Sequence, residues 1–160
     1  MENIQVAIMM GSKSDLPTMQ EAEQILKAFR IHCEMRVLSA HRTPKETAEY
    51  AEGLKDRGVK VVIAGAGGSA ALAGVVAAHT PLPVIGIPIQ ETAVNGLDSL
   101  LSTVQMPPGV PVAAVAIGKP GAKNAALLAI RILGLSDQTI AAELAEYHCK
   151  QREQILNIKL

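Results

Sequence analysis

The sequence predicts an α/β protein, a doubly wound parallel sheet held between two helical layers as a three-layer αβα sandwich. Three observations predict it. Strand-like and helix-like segments alternate from end to end of the 160 residues. Most of the strand-like runs are largely apolar, the pattern of strands covered on both faces, while the second ends in the alternating Met35-Arg36-Val37-Leu38. Polar loops follow the first three runs, where an open parallel sheet binds ligands at the carboxyl ends of its strands. Right-handed crossovers between such strands leave the doubly wound sandwich as the architecture.

The elements follow in order. Ile4-Gln5-Val6-Ala7-Ile8-Met9-Met10 reads as a buried first strand. Asp15 to Arg30 reads as a helix with Leu16, Met19, Ala22, Ile25, Leu26 and Phe29 on one face. Cys33 to Leu38 is a second strand. Thr43 to about Arg57 is a second helix, with Thr43 as N-cap, Pro44 at the first helical position, Glu46 completing a capping box and Gly58 just past the end. Val59 to Ala64 is a third strand running into Gly65-Ala66-Gly67-Gly68, after which Ala70 to Ala78 forms a small-residue helix. Pro83 to Ile87 and Val110 to Val115 are the fourth and fifth strands, their prolines placed where no ladder N–H is required. Asn124 to Leu133 is an apolar helix ended by Gly134. Ser136 or Asp137 caps a last helix to about Leu156, with Ile140, Leu144, Tyr147, His148 and Ile155 on one stripe. No repeat or linker interrupts the pattern, so residues 1–160 read as a single domain.

Composition removes several function classes. Formal net charge is zero, which leaves no electrostatic case for a nucleic-acid or anionic-membrane partner. Phe29, Tyr50 and Tyr147 are the whole aromatic complement, so no platform exists for stacking bases. The apolar run Ala122 to Leu133 is shorter than a membrane span, and the short run Ile4 to Met10 is unlike a signal peptide. Cys33 and Cys149 form no CxxC or Cys/His ligand pattern and read as free thiols in a reducing cytoplasm. The helices at Ala70 to Ala78 and Asn124 to Leu133 carry few polar residues. They are either packed inside the domain or buried between copies in a closed homo-oligomer.

Chemistry concentrates in the three loops. Gly11-Ser12-Lys13-Ser14-Asp15 offers a close-approach glycine, two hydroxyls and a following helix N-terminus, a combination that holds phosphate. By itself it also reads as an ordinary cap ahead of Pro17. Ser39-Ala40-His41-Arg42-Thr43-Pro44 puts a group that titrates near neutral pH beside a fixed cation, a reaction centre for an anionic substrate. Ala64-Gly65-Ala66-Gly67-Gly68-Ser69-Ala70 spends folding entropy on three glycines ahead of a helix, which implies close backbone approach. Together the loops indicate a phosphate-bearing small molecule. The polar segment Gln90 to Asp98 is placed to cover such a site, and Gln105-Met106-Pro107-Pro108-Gly109 reads as a turn. His32, His79 and His148 read as structural. No HExxH motif, His/Asp cluster or useful carboxylate pair points to a metal.

Gly11-Ser-Lys-Ser-Asp15, Ser39-Ala-His-Arg-Thr-Pro44, Ala64-Gly-Ala-Gly-Gly68, Gly96-Leu-Asp-Ser-Leu100, Gln105-Met-Pro107 and Asn124-Ala-Ala-Leu-Leu128 occur in the order seen in the PurE family, which the chain resembles over nearly its whole length. The resemblance is to its bacterial-type (class I) branch, the N5-carboxyaminoimidazole ribonucleotide mutases of purine biosynthesis. It implies a flavodoxin-like fold, a homo-octamer, and a ribonucleotide substrate carrying a carbamate, with no metal or cofactor. It implies that Gly11, Ser12, Ser14 and Asp15 hold the ribose phosphate and ribose hydroxyls. Arg42 pairs with the phosphate beside Ser39 and Ala40. Gly65, Ala66, Gly67, Gly68 and Leu72 lie against the imidazole and the moving carboxylate, and His41 is the general acid and base.

One position departs from the family pattern GG-A-A-H-L-P-G. This chain reads Gly67-Gly68-Ser69-Ala70-Ala71-Leu72-Ala73-Gly74, with Ala71 where the histidine is usual. His41 is then the only acid/base candidate in the loops. Two rival readings stand beside the mutase: a direct CO2-using aminoimidazole ribonucleotide carboxylase, and a nucleotide-binding module without catalysis on the same fold.

Overall fold

Five parallel strands form one sheet in the order β2-β1-β3-β4-β5: β1 (Val6–Met10), β2 (Cys33–Val37), β3 (Val61–Gly67), β4 (Val84–Ile89) and β5 (Ala113–Ala114). The computed structural model describes residues 4–159. Met1–Asn3 and Leu160, the extremes of the expected 1–160 domain, lie outside the described residues. The helices are α1 (Leu16–Ala28), α2 (Pro44–Glu52), α3 (Leu72–His79), α4 (Leu97–Val104), α5 (Lys119–Gly134) and α6 (Gln138–Leu156). This strand order is the flavodoxin-like one.

The two-residue period of β1 divides the core. Val6, Ile8 and Met10 pack with Met19, Ala22 and Leu26 of α1 and with Ala122, Ala126 and Ile130 of α5. Ala7 and Met9 pack on the other face with Ala51, Leu54, Leu72, Ala73 and Val76, from α2, its C-terminal turn and α3. α6 forms an outer layer on α5, where Ile140, Leu144 and Tyr147 join the first core, and Tyr147 meets Phe29 with ring centroids 5.5 Å apart. None of the described helices is long and apolar enough to cross a membrane.

Several expectations are corrected. The expected glycine loop after the third strand is strand to Gly67: Gly65, Ala66 and Gly67 pair with Ile87, Pro88 and Ile89 of β4, which also runs past the expected Ile87. The expected strand Val110–Val115 shrinks to Ala113–Ala114, because this edge offers only β4 as partner and Pro111 has no N–H to give. α2 stops at Glu52 instead of Arg57, though Gly58 does take the left-handed conformation at φ 91°. α5 starts at Lys119, well before Asn124, and Gly121 lets its first turn pass Ala116, whose carbonyl oxygen would lie 1.6 Å from an added Cβ. Ile155, expected on the inner stripe of α6, is exposed.

α4 was not expected. It turns small polar residues to the sheet: the Ser99 hydroxyl donates to the Ile89 carbonyl at 2.7 Å, and the Thr103 hydroxyl to the Ser99 carbonyl at 2.7 Å. Thr103 fills the space over Gly86, where a Cβ would come within 2.4 Å of its Cγ2. Leu97, Leu101 and Val104 therefore point outward, about half exposed. By contrast α3 and α5, the two greasy helices, bury Leu72, Ala73, Val76, Ala122, Ala125, Ala126, Ala129 and Ile130 within the domain.

Candidate active site

β1 and β3 are neighbours, yet the helices that follow them leave toward opposite faces of the sheet. That divergence opens a crevice at the carboxyl ends of the strands. A cleft of ≈ 290 Å³ occupies it, lined from the first loop by Gly11, Ser12 and Asp15, from the second by Ser39, Ala40, His41 and Arg42, and from the third by Ala66, Gly67, Ala70, Ala71 and Leu72. Glu91 closes the remaining side.

The first loop is a single turn of 3-10 helix, Lys13–Asp15, with a capping box. The Ser12 hydroxyl accepts from the Ser14 amide at 3.3 Å, and the Asp15 carboxylate accepts from the Ser12 amide at 2.9 Å. The Ser12 and Ser14 hydroxyl oxygens lie 2.9 Å apart, and Ser14 donates to Glu91 Oε1 at 2.8 Å. A hydroxyl has one proton to give, and the carboxylate can only accept, so the Ser14 proton belongs to Glu91. The turn is both the cap and a presentation of hydroxyls.

The second loop is built around Ser39, and here the expected Thr43–Glu46 capping box is overturned. The Thr43 hydroxyl does not cap α2. It accepts from the Ser39 amide at 2.9 Å and donates to the Ser39 carbonyl at 3.1 Å, while Thr47 donates to the Thr43 carbonyl at 2.7 Å. The Ser39 hydroxyl in turn accepts from the Arg42 amide and Nε at 3.2 and 3.3 Å. Arg42 Nη2 donates to the Gly11 carbonyl at 2.7 Å and ties the second loop to the first. The fork has five N–H donors, so most of it remains for an anion. His41 is exposed at the cleft wall and makes no hydrogen bond within the described residues.

Asp15 is 1% exposed, and its Oδ1 has no hydrogen-bond partner. Burial, and then the neighbouring Glu91 carboxylate, push its carboxyl up to about 7.

Three of the expected site residues do not line the cleft. Ser14 reaches it through Glu91. Gly65 lies beneath it, where a Cβ would meet Met19 Sδ at 2.3 Å; this glycine lets α1 close on the sheet. Gly68 makes the turn at φ 59°. Glu91, within the polar segment 90–98, carries no motif of its own and reaches the cleft only through the fold, whereas Ala70, the last residue of the expected third loop, does line the wall.

Residues 5–154 match the AIR carboxylase family. The chain belongs to that family. It is 53% identical over 153 residues to the N5-carboxyaminoimidazole ribonucleotide mutase of Vibrio vulnificus, covering 96% of this chain and 95% of that protein. It is 56% identical over 155 residues to the mutase of Saccharolobus solfataricus, covering 97% of each. The crystal structure of Treponema denticola PurE superposes with a TM-score of 0.85 at 34% identity, over 95% of this chain and 94% of that one. The family's loops are those that converge on the cleft.

Proposed function

We propose that this protein is an N5-carboxyaminoimidazole ribonucleotide mutase of purine biosynthesis, which moves the carboxyl group from the exocyclic nitrogen to ring carbon C4. The observation that carries the reading is the meeting, in one cleft, of the three motif loops of a chain more than half identical to mutases end to end.

The residues support a division of labour. Ser12, Ser14 and the free donors of Arg42 bind the substrate phosphate, the arginine as a charge-assisted fork. Asp15 takes a ribose hydroxyl on its unpartnered Oδ1, a bond that offsets the cost of leaving that oxygen buried and unpaired. Gly67, Ala66 and Leu72 face the imidazole. His41 gives its proton to the carbamate nitrogen; the N–C bond breaks with its electron pair going to nitrogen, and CO2 is released in the cleft. C4 then attacks the CO2, and His41 takes the C4 proton back. One group serves both steps. Holding CO2 against the nucleophile supplies effective concentration, and excluding water keeps it there.

The catalytic unit is the single domain, and it assembles into a closed homo-oligomer, an octamer on the family pattern. The outward stripe Leu97, Leu101 and Val104 of α4 supports assembly, as the buried α3 and α5 do not. Free thiols at Cys33 and Cys149 suit the cytoplasm. The test is to supply, without ATP, either the N-carboxylated ribonucleotide or the unmodified ribonucleotide with bicarbonate. Conversion of the first at low bicarbonate is expected; turnover only with the second makes the protein a direct carboxylase, and turnover with neither makes it a binding module.

A further inference from the structure

Glu91 is the second residue of the loop between β4 and α4, and its carboxylate is not directed to solvent alone. Oε1 accepts the Ser14 hydroxyl at 2.8 Å. The other oxygen lies flat on the backbone of Gly67, so near that a Cβ there would come within 2.5 Å of it. Only glycine leaves room for this contact. On its third side stands Asp15, buried and itself a carboxyl, which Glu91 helps to push up to about 7. Among the described residues no cation is ion-paired to Glu91. The Ser14 hydroxyl is thus a donor to a carboxylate that faces a second carboxyl and has no ion-paired cation among the described residues.

We propose that Glu91 is a displaceable anionic plug: in the empty protein its carboxylate occupies the phosphate's place on Ser14, and the ribonucleotide must swing it out to enter. The inference rests on the phosphate position proposed above. The movement needs only the side chain, because Glu91 is exposed at the cleft mouth and can turn to solvent without shifting the loop. The plug makes Glu91 a specificity-determining residue. A ligand needs an anion strong enough to outcompete a tethered carboxylate, and the affinity of every ligand is reduced by the fraction of protein that is open.

The test compares wild type with Glu91→Ala, Glu91→Gln and Ser14→Ala, using calorimetric titration with the carboxylated product ribonucleotide and, separately, with inorganic phosphate. Glu91→Ala is expected to bind both probes about fivefold tighter or more, and Glu91→Gln, which loses charge but keeps an acceptor, by less. Ser14→Ala, read in the Glu91→Ala background where no plug is released with it, is expected to weaken both. Unchanged or weaker binding in Glu91→Ala overturns the plug. If Ser14→Ala nevertheless weakens binding in that background, the phosphate position stands and only the plug falls. If Ser14→Ala leaves binding there unchanged, the phosphate position falls with it.

Discussion

His41 stands in the cleft wall with no hydrogen bond to orient it, whereas Arg42, the next residue, is held by Ser39 and Gly11. That contrast suits the roles proposed for them, a ring that carries a proton between two substrate atoms beside a cation fixed in place. His41→Asn is expected to lower kcat by about a hundredfold or more, the range of a lost general acid and base, while the ribonucleotide Kd stays near wild type. A near wild-type rate removes His41 from the chemistry. Asp15 makes a second prediction at this scale. Its folded value, about 7, lies above the ordinary 3.8, so the folded state holds a proton that the unfolded state has released across that interval. Its contribution to stability is therefore full below pH 4, falls as pH rises from about 4 to about 7, and is flat above. The loss is on the order of 2–4 kcal/mol. Asp15→Asn keeps an acceptor for the Ser12 amide but cannot ionise. Denaturant melts at pH 4 and pH 8 should show the wild type losing stability relative to this variant; parallel curves contradict the assignment.

At the scale of elements, glycines set how closely helices approach the sheet. Exposed helix interiors gain about 1 kcal/mol from glycine to alanine. At Gly121 the sign should reverse, because the new Cβ meets the Ala116 carbonyl oxygen, a backbone atom, at 1.6 Å. Gly121→Ala is expected to destabilise by about 1–3 kcal/mol net, read as a lower melting temperature. A stabilised variant would falsify the close crossing at the start of α5. β1, β3 and β4 and the greasy helices were legible in the sequence because doubly covered strands and buried helices announce themselves by apolar runs, whereas most of the expected fifth strand did not form. α4 was not legible, since its inner face carries Ser99 and Thr103 and its leucines point outward, the inverse of the usual pattern. The capping box at Thr43 failed for a similar reason. The motif fits, but tertiary demand assigns the hydroxyl to Ser39. In the site, the loops were legible as motifs; Glu91 was not, because an isolated glutamate in a polar loop carries no local signal, and only the fold brings it onto Gly67 and Ser14.

For the whole molecule, the large exposed apolar side chains include two groups, Leu97, Leu101 and Val104 on α4 and Ile155, Leu156 and Ile158 at the end of α6, besides the separate Val37, Val94 and Leu135. α4 follows the loop that carries Glu91, so a partner seated on it would also border the cleft. Sedimentation at low micromolar concentration should show a closed oligomer, and Leu101→Asp should shift it to smaller species. A stable, active wild-type monomer contradicts assembly. In the reaction proposed for this protein the carboxyl group migrates within one cleft. Label retention tests it: substrate carrying a 13C carbamate is converted in unlabelled bicarbonate, without ATP, and the product is read by NMR. 13C is expected at the C4 carboxylate with little dilution. Product carrying the label of the bicarbonate pool instead contradicts it.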